Sequence, residues 1–159
     1  MNQSPQTYQE EIAILRKVEE HPASIISIKN ANDDELKLAL DINPKLAANF
    51  KILTENIQLF LVAKDPQNVK HIKNPAEAVQ REVVSKDPQL IKYFYKKASV
   101  EIRMAALKND PSVIQYYTDA TLNELKYVSR RGEKYYLMAK NRTNKSDFYN
   151  LLYNFKFLV

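Results

Sequence analysis

Five of the chain's seven prolines stand at Pro22, Pro44, Pro66, Pro88 and Pro111, so their spacings are 22, 22, 22 and 23 residues. A fixed period of this size marks a repeat architecture, in which each unit is one supersecondary element that cannot bury its apolar face alone. The residue before each proline is a histidine or a short polar residue: His21, Asn43, Asp65, Asp87 and Asp110. An Asp-Pro pair reads as a helix start. The carboxylate caps free N–H groups, and proline takes the first helical position, where a missing N–H costs nothing.

Counting from each proline, the third position is Ile25, Ala47, Val69, Ile91 and Ile114, and the sixth is Ile28, Phe50, Ile72, Phe94 and Tyr117. Every one is apolar or aromatic, and an i, i+3 pair lies on one helix face. After a break a second helix starts. Asn32-x-x-Glu35, Asn74-Pro75-Ala76-Glu77 and Thr121-x-x-Glu124 read as capping boxes for it. Its apolar sets are Leu36, Ala39 and Leu40; Ile57, Leu61 and Val62; Val79, Val83 and Val84; Ile102, Ala106 and Leu107; and Leu125 with Val128. The extra residue of the fourth unit is expected in the turn around Lys96 and Lys97, where an insertion is tolerated. Each unit should therefore be a short helix of about two turns, a turn, and a longer helix of about three turns. Neither helix is long enough to be stable alone in water, so the units need one another.

The string Asp87-Pro88-x-x-Ile91, followed by Ser99-x-Glu101-Ile102-Arg103-x-Ala105-Ala106-Leu107, resembles the leucine-rich repeat variant class and, more loosely, HEAT-like repeats. In those repeats a proline-started short helix precedes a helix reading E-V-R-x-A-V, and the short helix is often 3₁₀. The resemblance covers about residues 22–133. It implies a right-handed, curved superhelix with an extended face used for binding, and it carries no catalytic residues. The expected fold is thus all-α: an open right-handed α-solenoid of about five 22-residue helix-turn-helix repeats, with about twelve helices in all.

The chain is expected to form one domain, residues 1–159. Residues 7–20 read as an N-terminal cap helix that opens at Thr7-Tyr8-Gln9-Glu10, with Ile12, Leu15 and Val18 on one side. Residues 21–133 hold the repeats. Residues 134–159 begin like a sixth unit, with Lys134 in the proline's place and Leu137 three later, then end in a cap helix. That helix starts at Ser146-Asp147 and carries Phe148, Leu151, Leu152 and Phe155 at i, i+3, i+4 and i+7. A second apolar face on this helix makes it a candidate for contact with a partner or a second copy of the chain.

Composition narrows the chemistry. The chain has one glycine, Gly132, where average usage is about 7%. Phosphate-cradling loops and nucleophile elbows both need several glycines, so G-x-G-x-x-G, Walker and G-x-S-x-G sites are excluded. The absence of cysteine excludes disulfides, thiolate nucleophiles and Cys-ligated metals, and it suits a reducing compartment. No apolar run approaches the ~20 residues of a membrane span, and the N-terminus lacks the basic and apolar regions of a signal peptide, so a cytoplasmic location is expected. Asp65, Asp87 and Asp110 form a ladder that invites a metal reading. Neighbouring units in a stack are roughly 10 Å apart, too far to share one ion, so helix capping is the better reading. His21 and His71 lack an acid at motif spacing and read as surface residues. The expectation is no enzyme, no cofactor and no metal.

Charge is distributed unevenly. Residues 1–43 hold four Lys and Arg against eight Asp and Glu, whereas residues 111–159 hold eight against four. Thirteen of the sixteen Tyr and Phe fall at or after Tyr93, so cations and rings interleave in the C-terminal half. The densest stretch runs from Tyr127 to Tyr136 and supplies Arg130, Arg131, Lys134 and Tyr135 as candidate partner-binding residues. Lys92, Lys96 and Lys97 would extend it if they share a face. An interaction module that binds a protein partner through the solenoid surface and this basic half is the leading reading. A nucleic-acid binder that uses Arg130, Arg131 and Lys134 with nearby tyrosines is the alternative, since cations suit phosphates and ring faces suit unpaired bases.

Overall fold

The computed structural model describes residues 5–141, and among them all regular structure is helical. The elements in order are α1 (Pro5–Glu20), η1 (Pro22–Ser27), α2 (Asp33–Ile42), η2 (Pro44–Asn49), α3 (Glu55–Lys64), η3 (Pro66–His71), α4 (Glu77–Lys86), η4 (Pro88–Tyr93), η5 (Tyr95–Lys97), α5 (Val100–Asn109), η6 (Pro111–Tyr116), α6 (Leu122–Ser129) and α7 (Glu133–Lys140), where η denotes a 3₁₀ helix. The expected C-terminal cap helix at 146–155 lies outside the described residues. The N-terminal helix starts two residues earlier than expected, at Pro5, because proline fits the first helical turn.

Each of the five periodic prolines opens a 3₁₀ helix of six residues. The third and sixth positions are tied directly: the N–H groups of Ile28, Phe50, Ile72, Phe94 and Tyr117 donate to the carbonyls of Ile25, Ala47, Val69, Ile91 and Ile114 at 2.9–3.2 Å. With three residues per turn, side chains at i and i+3 eclipse, which explains the apolar pair more closely than an α-helix would. All five third positions are buried; Ile28 and Phe50 are only half-buried at the sixth, whereas Ile72, Phe94 and Tyr117 are buried. The second position, Leu46, Asn68, Leu90 and Val113, is buried too.

One residue joins each α-helix to the next 3₁₀ helix, and it serves both. Asn43, Asp65, Asp87 and Asp110 donate their N–H to the carbonyls of Ala39, Leu61, Val83 and Ala106, closing the α-helix. Their side chains accept from the N–H two residues ahead, at Lys45, Gln67, Gln89 and Ser112, opening the 3₁₀ helix. Their φ values lie between −141° and −150°, the extended region into which a following proline pushes its neighbour. His21 holds a similar position but makes no side-chain cap. The α-helices begin on Asn32 and Thr121 with full capping boxes, and on Thr54 and Ser99 with hydroxyl caps at 3.4 Å. The fourth unit spends its extra residue in the turn between η4 and α5, where Phe94 leads into the short helix η5.

The chain divides into two compact units, Met1–Val79 and Gln80–Val159. In the first, the core holds Val18, Ile25, Leu40, Ile57, Leu61, Val62 and Val69. Successive turns are tied there by Gln58, whose amide donates to the Leu53 carbonyl at 2.8 Å and accepts from the Ala76 N–H at 2.8 Å. Asn68 satisfies the Leu61 carbonyl at the end of α3, at 3.0 Å. The core of the second unit holds Val83, Ile91, Phe94, Ile102, Leu107, Ile114, Tyr117 and Val128. Asn109 crosses to the Val84 carbonyl at 3.2 Å, and Gln89 bonds Asp110, the Ser112 hydroxyl and the Tyr116 hydroxyl.

The repeat lapses at Gly132. Its φ of 129° favours glycine on conformational grounds alone, since an added Cβ would meet nothing within 4 Å. The helix that follows, α7, is α-helical instead of 3₁₀, so the period changes and Leu137 is 47% exposed while Ala139 is buried. Leu137 is therefore not the equivalent of the buried third positions.

Phe94 is 3% exposed, and Phe94→Ala should cost about 3–5 kcal/mol, the range for deleting a core aromatic. Asp87→Ala removes one cap bond and should cost about 1 kcal/mol. Urea melts of the two variants check both magnitudes and their order.

Candidate binding surface

The second unit is organised around a buried ion pair. Arg103 on α5 donates from Nε and Nη2 to the Glu124 carboxylate on α6 at 2.8 and 2.9 Å, and both side chains are almost fully buried. A buried pair is stable only when its remaining polar sites are satisfied. Glu124 also accepts from the Thr121 N–H at 2.7 Å and the Thr121 hydroxyl at 2.9 Å, so the carboxylate that completes the helix cap also takes the arginine. Arg103 further reaches the Asp119 carbonyl at 3.3 Å and the Asp119 carboxylate at 3.2 Å. Its guanidinium lies 4.6 Å from the ring centre of Tyr117, whose hydroxyl donates to the Arg103 carbonyl at 3.1 Å. Burial first, and the Glu124 charge second, push the Tyr117 hydroxyl far up from its ordinary value, so it stays a neutral donor.

Rings carry this order out to the surface. Tyr95 stacks on Tyr117 with centroids 5.8 Å apart, and its hydroxyl meets the Thr118 hydroxyl at 3.2 Å. Tyr95 helps line an open depression with Lys92, Tyr93, Phe94, Lys96 and Lys97. Lys92 lies over Tyr93 at 5.1 Å and Lys96 over Tyr95 at 6.0 Å.

Arg130 and Arg131 line a second depression, with Met104 of α5 and Asn123, Lys126 and Tyr127 of α6. Arg131 covers the Tyr127 ring at 4.6 Å and donates to its hydroxyl, which fixes the ring's orientation. Lys134 lies over Tyr135 at 5.7 Å, and all of Arg130, Arg131 and Lys134 are exposed. The two depressions share no lining residue, so Lys92, Lys96 and Lys97 belong to one cluster and Arg130 and Arg131 to another. Sequence reading passed over Met104, Asn123 and Lys126. The signal was present in α6 and its C-cap, where Asn123, Lys126, Tyr127 and Arg130 fall at i, i+3, i+4 and i+7, one stripe of a helix.

The ladder of carboxylates that invites a metal reading serves as helix caps. Asp65 and Asp110 cap 3₁₀ helices, as does Asp87. Among the described residues no group of His, Cys, Asp and Glu could hold a metal ion, and no helix is long and apolar enough to cross a membrane. His71 is half-buried, and burial followed by Lys70 and Lys45 lowers its pKa. Asp110 is held below the usual carboxylate range. Burial alone would raise it, but hydrogen bonds from Ser112 and Gln89, with the positive charge of Lys134, outweigh that. No protein-family model, curated protein or solved structure matches the chain.

Glu124→Ala strands a buried guanidinium and should cost about 3–5 kcal/mol, whereas Arg103→Met with Glu124→Leu should recover most of that loss. A double-mutant cycle by chemical denaturation checks this. Because Asp110 has a lowered folded pKa, its contribution is full above the unfolded value of about 3.9 and is lost as pH falls through the folded value. Asp110→Asn should therefore flatten the acid limb of the stability profile below about pH 4, read from thermal midpoints across a pH series.

Proposed function

We propose that the chain is a non-enzymatic interaction module, an adaptor or inhibitor built as a right-handed α-solenoid, that binds an acidic protein partner in the cytoplasm through its repeat surface and basic second unit. The observation that carries this reading is the pair of depressions on the second unit, each lined by cations and tyrosines. Lys92, Lys96, Lys126, Arg130, Arg131 and Lys134 make no ion pair among the described residues. Surface charge of one sign raises the encounter rate with an opposite surface and fixes its register. The repeat supports the solenoid reading, since the same 3₁₀ helix, joint and α-helix recur in both units.

Nucleic acid is the second reading, because rings and cations adjoin at Tyr93, Tyr95, Tyr127 and Tyr135. Each of those rings already carries a cation over one face. That makes it a poorer platform for an unpaired base and favours the protein partner.

Replacing Arg130, Arg131 and Lys134 together by alanine should slow association with the partner, leave the thermal midpoint nearly unchanged, and leave the complex resistant to nuclease. Pull-down with and without nuclease, followed by stopped-flow association, measures this. A nucleic-acid ligand would instead show as oligonucleotide binding whose log K falls by about 0.7–0.9 per phosphate contact per log unit of salt, a slope that the triple change flattens.

A further inference from the structure

The depression between α5 and α6 has features that specify more than a positive surface. The Arg103–Glu124 pair and the Arg103–Asp119 bond hold the N-terminal halves of the two helices together. Met104 follows Arg103, and Asn123 precedes Glu124, so the same pair brings half-buried Met104 to a depression that it shares with exposed Asn123 and Arg130 and half-buried Lys126 and Tyr127. The result is a groove with one apolar wall, Met104, and a facing row of Asn123, Lys126, Tyr127 and Arg130. Lys126 on α6 and Arg130 at its C-cap are four residues apart, which places them about 6 Å apart along the helix axis. Neither has a carboxylate partner among the described residues. Tyr127 between them is held by Arg131 on its ring and hydroxyl, so it offers a preset apolar edge.

We propose that this groove docks an acidic amphipathic helix of the partner, with carboxylates at i and i+4 on Lys126 and Arg130 and an apolar residue between them seated against Met104 and Tyr127. The inference rests on the protein-partner reading and assigns its contact. The spacing of the two cations along α6 matches that of acidic residues one helical turn apart on a partner. A groove between two helices suits a helix laid along it, which presents residues at i, i+3 and i+4. Met104 suits the apolar contact because its unbranched thioether adapts to the side chain it meets. Asn123 can donate to a further carboxylate at the end of the row.

The probe is a fluorescein-labelled 16-residue peptide with Glu at i and i+4 and Leu between them on one helical face, compared by anisotropy with a scrambled peptide of the same composition. The full chain should bind the patterned peptide at least about tenfold more tightly than the scrambled one, and Tyr127→Ala or Arg130→Ala should each remove about tenfold of affinity. Lys29→Ala, an exposed cation of the first unit that lines neither depression, should leave the binding unchanged. Circular dichroism of each variant, with its thermal midpoint, separates lost contact from lost fold. Equal affinity for both peptides, or patterned binding that survives both substitutions, overturns the groove assignment while the protein-partner reading stands. Absence of peptide binding, together with salt-sensitive binding of single-stranded oligonucleotides, overturns both.

Discussion

The repeat described along Pro22–Tyr116 depends on a single extended residue placed between two helices. Proline forces its neighbour out of the helical region. The neighbour is then Asn or Asp in four of the five joints, and its amide, carbonyl and side chain each find a partner. The amide ends one helix, and the carbonyl and side chain begin the next. No loop residues are spent between the two, so the angle between the helices follows from one pair of backbone torsions. That angle recurs because the torsions recur, with ψ between 88° and 116° at the Asn and Asp joints. A 3₁₀ helix of six residues is about 12 Å long and an α-helix of ten about 15 Å, so the two elements of a repeat are of similar length.

Much of this was legible in the sequence. Proline spacing located the joints, and the third positions identified the innermost residues without error in the five units. The capping boxes at Asn32 and Thr121 followed from residue type and spacing, because a cap is a local interaction whose partners lie within four residues. The 3₁₀ geometry entered only through a family resemblance. An apolar pair at i, i+3 fits both helix types, so spacing alone does not separate them. Thr54 and Ser99 were missed as caps because neither has a glutamate three residues on.

The surface was less legible for a different reason. Lys92, Lys96 and Lys97 were expected to extend the patch of Arg130, Arg131 and Lys134 only on a shared face; they flank a turn before α5, while Arg130 and Arg131 directly follow α6. The residue that organises both neighbourhoods is Arg103, whose partners Asp119 and Glu124 are 16 and 21 residues away. Such a pairing leaves no short-range signature. Gln58 holds the same place in α3 as Arg103 in α5 and ties forward in a similar manner, with a neutral amide in place of a charge. A bond from the fourth residue of one α-helix to the turn ahead thus occurs in each unit, and its charged form coincides with the more basic one.

The joint and the turn differ in what they tolerate, and this restricts how such a chain can change in length. A residue added in the turn after a 3₁₀ helix is absorbed as a further single turn of 3₁₀ helix, as the fourth repeat demonstrates with Tyr95–Lys97. A residue added at the joint would separate an amide, a carbonyl and a side chain that must all belong to one residue, and every helix beyond it would be reoriented. Length can therefore vary in two ways: by single residues on the turn edge, or by whole repeats. Grafted epitopes, linkers and reporter tags belong on the turn edge for the same reason, and lengthening the protein by design means duplicating a unit from one aspartate-proline pair to the next.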